Sequence, residues 1–175
     1  MPISPFHLGQ GVAFKSAASR HVSFTIFALT QILIDLEALF YFAQNDGHMH
    51  RHLHTLVGAA IVAGVGVVVG RPICQWFLKK WNRHLSSKQK QWLFVEPSIS
   101  LKSAIWGAAL GAFSHIVLDS MMHGDMKPFM PFSDKNGLYN ILTLDQLDML
   151  CVLSGILGLL ILAGFFLPGK RRKPL

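Results

Sequence analysis

The stretch "ISLKSAIWGAALGAFSHIVLDSMM", Ile99–Met122, decides how this chain folds. As a helix rising about 1.5 Å per residue it is long enough to cross roughly 30 Å of hydrocarbon. Yet it carries His115 and Asp119, two ionisable side chains that lipid would penalise. Such residues inside a span usually mark a function or face a water-filled cavity. Three further apolar runs flank it: His21–Ala43, Leu53–Gly70 and Met149–Pro168. Of the 175 residues, 51% are hydrophobic and only 14% charged, where a soluble domain carries about a quarter charged residues. The expected fold is therefore all-α, a polytopic membrane bundle forming one domain over residues 1–175. A short N-terminal helix and a cytoplasmic interfacial helix would accompany the four spans.

The net charge of +7 is a topology signal rather than a nucleic-acid footprint. Lys15 and Arg20 precede the first span, and Arg71, Lys79, Lys80, Arg83, Lys88, Lys90 and Lys102 lie around the connection between spans two and three. Lys170, Arg171, Arg172 and Lys173 follow the last span. The positive-inside rule then puts both termini and the middle loop in the cytoplasm of a bacterial inner-membrane protein. The middle loop interleaves Trp76, Trp81 and Trp92 with lysines, as a segment lying on an anionic membrane surface would. Cys74 and Cys151 fall at opposite ends of the bilayer, so no disulfide is expected. The start of the chain lacks the pattern of a cleaved signal peptide. Gly66/Gly70 and Gly107/Gly111 have the spacing that lets helices approach closely.

The polar residues within the spans gather at one level. Asp35 lies roughly 12 Å below the outer end of the first span, and Glu37 is slightly shallower. His115, Asp119 and His123 follow at i, i+4 and i+8, which holds them on one helix face. In "HMHRHLHT", His48–Thr55, the pair His50 and His54 is again four apart where the chain enters span two. Mixed nitrogen and oxygen donors suit zinc, manganese or iron. A carboxylate beside such an ion can position the attacking water or move its proton. Glu37 and Asp148 are the candidates for that role. Asp145 fits better as a helix N-terminal acid, with Thr143–Gln146 as a capping pattern. The long connection over residues 123–146 reads either as a lid or as an ordinary solvated loop.

Four segments, "PFHLGQG", "IDLE", "HRHLHT" and "HIVLDSMMHGDMKPFMPF", are similar to bacterial membrane-bound metal-dependent hydrolases. The order His, Asp, His, HxxxD also distantly resembles the zinc-dependent phospholipase C class, helical enzymes that hydrolyse phosphoesters. The resemblance implies metal-ligand roles for His7, Asp35, His50 or His54, His115 and Asp119. The chain departs from the family where "IDLE" replaces a PDxD-like motif and where "HRHLHT" replaces HRGxTHS, which leaves the role of Glu37 open. His7 can join the other ligands if residues 3–19 dip into the bundle as a re-entrant helix, or if the topology is reversed.

Three functions compete on these grounds. A metal-dependent hydrolase acting on a lipid-borne or periplasmic ester or phosphoester accounts for both the carboxylates and the histidines. A bis-His haem carrier leaves Asp35 and Asp119 without a role. A non-enzymatic structural or metal-handling protein needs no reactive site, though metal passage would want polar residues continuing to the other side. The oligomeric state and the substrate are not encoded in any motif.

Overall fold

The computed structural model describes residues 5–166 and is all-helical over that range. The basic cluster Lys170–Lys173 and the expected end of the fourth span at Pro168 lie outside the described residues. Six helices follow one another: α1 (Leu8–Ala17), α2 (Phe24–Ala43), α3 (Leu56–His84), α4 (Ser87–Leu93), α5 (Leu101–Met122) and α6 (Leu144–Phe166). Of these α2, α3, α5 and α6 are long and apolar enough to cross a membrane. The helix starts follow local chemistry. Ser23, Thr55 and Ser100 cap α2, α3 and α5 by accepting the first free backbone N–H groups on their hydroxyls. Ser86 with Gln89 forms a full capping box on α4, and Thr143 with Gln146 does the same ahead of α6.

The second span differs from its expected bounds. It does not stop at Gly70 but runs on to His84 through a wide π turn at Gly66–Gly70. Pro72 lacks the N–H that would close the preceding turn, and a π turn is a known way to absorb such a break. The continuation carries Trp76, Trp81, Lys79 and Lys80 beyond the apolar stretch. The chain then folds back, with the Asn82 side chain holding the Val95 carbonyl at 2.7 Å and the Trp81 indole donating to the Leu93 carbonyl at 3.1 Å. The surface segment thus consists of the end of α3, α4 and this extended return. Trp76, Trp81 and Trp92 are all exposed, as membrane-interface anchors would be.

α5 is the centre of the bundle and packs against both α2 and α3. Both glycine pairs lie where α2 approaches most closely. A Cβ on Gly111 would come within 2.6 Å of the Phe27 carbonyl oxygen, and one on Gly66 within 2.7 Å of Thr30 Cγ2. These positions have no room for a side chain. α1 lies along α6, the two backbones touching at Gly9 against Gly155 and at Ala13 against Gly158. Successive residues of α1 meet successive turns of α6, so the two helices run in the same direction, starting from the end of the bundle that holds His7. The start of α1 therefore brings His7 to the polar level of the bundle, and α1 also touches α2. Cys74 and Cys151 are free thiols.

Candidate metal centre

Four buried side chains from three places in the chain meet at one point. Asp35 comes from α2, His54 from the turn before α3, and His115 and Asp119 from adjacent turns of α5. One donor atom from each lies within 4.8 Å of all the others. His115 Nε2 is 3.1 Å from Asp119 Oδ2 and 3.3 Å from Asp35 Oδ1, while His54 Nε2 is 3.7 Å from Asp119 Oδ2. Ligand atoms on a tetrahedral ion with bonds near 2.0–2.1 Å stand about 3.3 Å apart, so these separations bracket what such an ion needs. His7 approaches from the start of α1, its Nε2 3.7 Å from Asp119 Oδ1 and its ring edge-on to His115.

The outer nitrogen of each central imidazole is fixed by a second partner. His54 Nδ1 lies 2.9 Å from Glu37 Oε2, and His115 Nδ1 lies 2.6 Å from Gln31 Oε1. Gln31 is itself anchored, donating to the Gly111 carbonyl at 3.1 Å. This is how metal-ligating histidines are commonly oriented, with the inward nitrogen left free as the donor. Glu37 also accepts the backbone N–H groups of Arg51, Leu53 and His54 at 3.2, 2.9 and 3.3 Å on Oε2, and that of His52 at 2.9 Å on Oε1. Its carboxylate clamps the histidine-rich turn to α2. Asp148 is half-buried in the first turns of α6, near enough to His7 for its charge to act there.

The inward nitrogens have no hydrogen-bond partner. His7 Nδ1 and Nε2, His54 Nε2 and His115 Nε2 are all buried and unpaired. An unsatisfied buried polar group costs about 1–3 kcal/mol, and a buried carboxylate several kcal/mol more. A proton on His115 would satisfy that ring alone, with Asp35 and Asp119 beside it. It would leave His54 and His7 unpaired. A divalent cation answers His54, His115 and both carboxylates together, so these four residues fit a metal ion.

A second group of donors sits at the rim: His50, His123 and Asp125. His50 Nδ1 is 2.9 Å from Asp125 Oδ2, and the rings of His50 and His123 stack at 4.3 Å. The ring of His50 also contacts that of His54 at 4.7 Å, which joins the two groups. The expected helical trio His115, Asp119 and His123 is split, because α5 ends at Met122 and His123 turns away in an extended conformation. Burial and the neighbouring His50 push the His123 imidazole down to about 4, so it is neutral near pH 7. For Asp125, burial works against ionisation, but the bond to His50 outweighs it and holds the carboxyl below its ordinary value. In "HMHRHLHT" the alternation is complete: His50 and His54 are buried, His48 and His52 exposed. Two contributors were not singled out in the sequence, Gln31 and Asp125. Gln31 stands one turn before Asp35 on the same helix face, a signal that could have found it; nothing in the spacing marks Asp125.

The chain matches the family model described as YdjM inner membrane protein over residues 6–173. The chain belongs to the YdjM inner membrane protein family. No curated protein and no solved structure matches it. YdjM membership and the four apolar helices together make this a multi-pass protein of the bacterial inner membrane, in contact with the lipid bilayer. The YdjM match speaks to residence in the membrane and leaves the activity to the chemistry of the site.

Proposed function

We propose that this YdjM-family protein is a metal-dependent hydrolase of esters, with phosphoesters the best fit to its donor set. The observation that carries this reading is the convergence of unpaired buried imidazole nitrogens on two buried carboxylates. Asp35, His54, His115 and Asp119 are assigned as ligands, with His7 as a fifth donor on Asp119's far side. A divalent ion held there, zinc before manganese or iron, supplies Lewis-acid activation of water near neutral pH. The chain's own part is to orient and to exclude. Glu37 and Gln31 fix which nitrogens of His54 and His115 face inward, and α1 closes the site from the α6 side. With the Glu37 carboxylate committed to five hydrogen bonds, the general-base role passes to Asp148. The basic loop and terminal lysines, by the positive-inside rule, support a periplasmic position for the His/Asp end of the bundle.

Haem fits less well. Carboxylate oxygens of Asp35 and Asp119 lie within 4.8 Å of the His54 and His115 donor nitrogens, where a macrocycle would need room. A purely structural role gives no account of three buried histidines with unpaired nitrogens around two buried carboxylates. The test is hydrolysis of bis-p-nitrophenyl phosphate and of p-nitrophenyl butyrate by zinc-loaded protein in detergent. Metal-dependent turnover that disappears in His115→Ala is the expected result. Equal turnover by wild type and His115→Ala, or none with either substrate after metal loading, removes the proposal.

A further inference from the structure

A pocket of about 610 Å³ opens beside the rim histidines, between the first turns of α3 and the 125–131 segment. Its inner end carries His50 and Asp125, and its mouth carries Arg51 and Lys127. The ring of His50, in the pocket wall, contacts that of His54 in the deeper group at 4.7 Å. His48 and His52 also line it, and an apolar part of the wall is formed by Val57, Ile61 and Met130. Val57 and Ile61 stand one turn apart on α3 and are 43% and 60% exposed. Below them the same helix presents Val65 and Val68, also exposed. In a spanning helix this stripe faces hydrocarbon, so the pocket has no protein wall on that side and opens straight into the bilayer.

We infer that this pocket takes the headgroup of an anionic phospholipid, which enters sideways from the membrane with its chains lying along the Val57–Ile61–Val65 stripe. The inference rests on the hydrolase reading only for what then happens to the lipid. The size is right for a headgroup and the first part of the chains, within the range of small-ligand pockets. The chains need no enclosure because the bilayer solvates them. Charge is placed to match. Arg51 pairs with Asp46 and Lys127 with Asp134 at 3.4 Å, but both partners lie at the surface, where such pairs hold weakly and give way to a phosphate. Arg51 is further held over the Tyr41 ring at 4.0 Å, which keeps its guanidinium at the mouth. The positive end of α3 begins at Thr55 in the pocket wall and adds to the attraction. A soluble phosphate ester would use the same cations and leave Val57 and Ile61 without a role.

The test is lipid binding by the full chain in detergent, read by native mass spectrometry. The probes are dioleoyl phosphatidic acid, dioleoyl phosphatidylcholine and glycerol 3-phosphate. Ile61→Trp fills the apolar wall at an exposed position, and Val68→Trp is the control on the same stripe below the pocket. Phosphatidic acid is expected to bind roughly tenfold more tightly than phosphatidylcholine. Ile61→Trp should weaken it by roughly tenfold, and Val68→Trp should leave it unchanged. Arg51→Gln with Lys127→Gln should abolish the preference between the two lipids. Metal content of Ile61→Trp should equal that of wild type, which separates a filled pocket from a damaged fold. The inference is overturned if Ile61→Trp binds like wild type, or if glycerol 3-phosphate binds as tightly as the lipid whatever stands at position 61. Lipid binding without metal-dependent hydrolysis overturns the hydrolase reading alone. Hydrolysis of a soluble diester without lipid binding overturns the pocket alone.

Discussion

The two groups of histidine and aspartate are built from the same residue types and differ in what surrounds them. In the deep group His54 and His115 are each held by a partner on the outer nitrogen, while the inner nitrogen makes no hydrogen bond and faces buried carboxylates. In the rim group His50 is held by Asp125 in the same manner, but Asp125 and His123 are only half-buried and water can reach them. A polar group at the rim is satisfied by solvent at little cost. The same group in the deep site has no such recourse, since burial without a partner costs about 1–3 kcal/mol each time. Burial, rather than residue identity, is what makes the deep group informative.

The sharpest break would come from Asp119→Ala, because Asp119 touches His7, His54 and His115 at once. Bound metal in purified protein should fall from about one equivalent to near none by elemental analysis; retention of a full equivalent would end the distinction between the two groups. Smaller losses are expected from the partners behind the ligands. Gln31→Leu and Glu37→Gln should each weaken metal affinity by roughly 10–100-fold in a chelator competition. Smaller again is Asp125→Asn at the rim, which should leave the deep metal in place and change its affinity by less than about tenfold. If that variant loses metal as completely as Asp119→Ala does, the two groups form one site.

A pH series sharpens the same contrast. His123 has its folded-state pKa lowered from 6.5 to about 4. The unfolded chain therefore binds this proton first, and stability contributed by neutral His123 is lost as pH falls from about 6.5 through about 4. The thermal midpoint of the metal-free protein should drop across that window, and less steeply in His123→Gln. The weakest effects belong to His48→Ala and His52→Ala, whose side chains are exposed. Metal content and thermal midpoint should match wild type.

The four spans and the level at which their polar residues gather were legible because lipid makes both demands strict. Apolar runs must be long, and an Asp inside one must be answered. Asp35, His115 and Asp119 could thus be grouped from depth alone, and the i, i+4 spacing placed His50 and His54 together. What was not legible depended on where helices end. His123 continues the spacing of His115 and Asp119, yet it lies one residue past the end of α5 and points elsewhere. The continuation of α3 past Gly70 was hidden by Arg71 and Pro72, which read as a stop and are instead carried through a π turn. Glu37 looked like a base because its depth matched the other acids. Only the fold shows that the backbone of residues 51–54 converges on it.

The packing of α1 along α6 has a consequence for how the protein is made. Gly9 meets Gly155, and Ala13 meets Gly158, so a helix synthesised before α2 is matched to one inserted after α5. Until α6 leaves the ribosome and enters the membrane, α1 has its smaller contact with α2 and the approach of His7 to Asp119 and His115 to hold it. Closure of the site is therefore a late event in biogenesis. A chain truncated before α6 would enter the membrane with three of its spans yet lack the surface along which α1 packs.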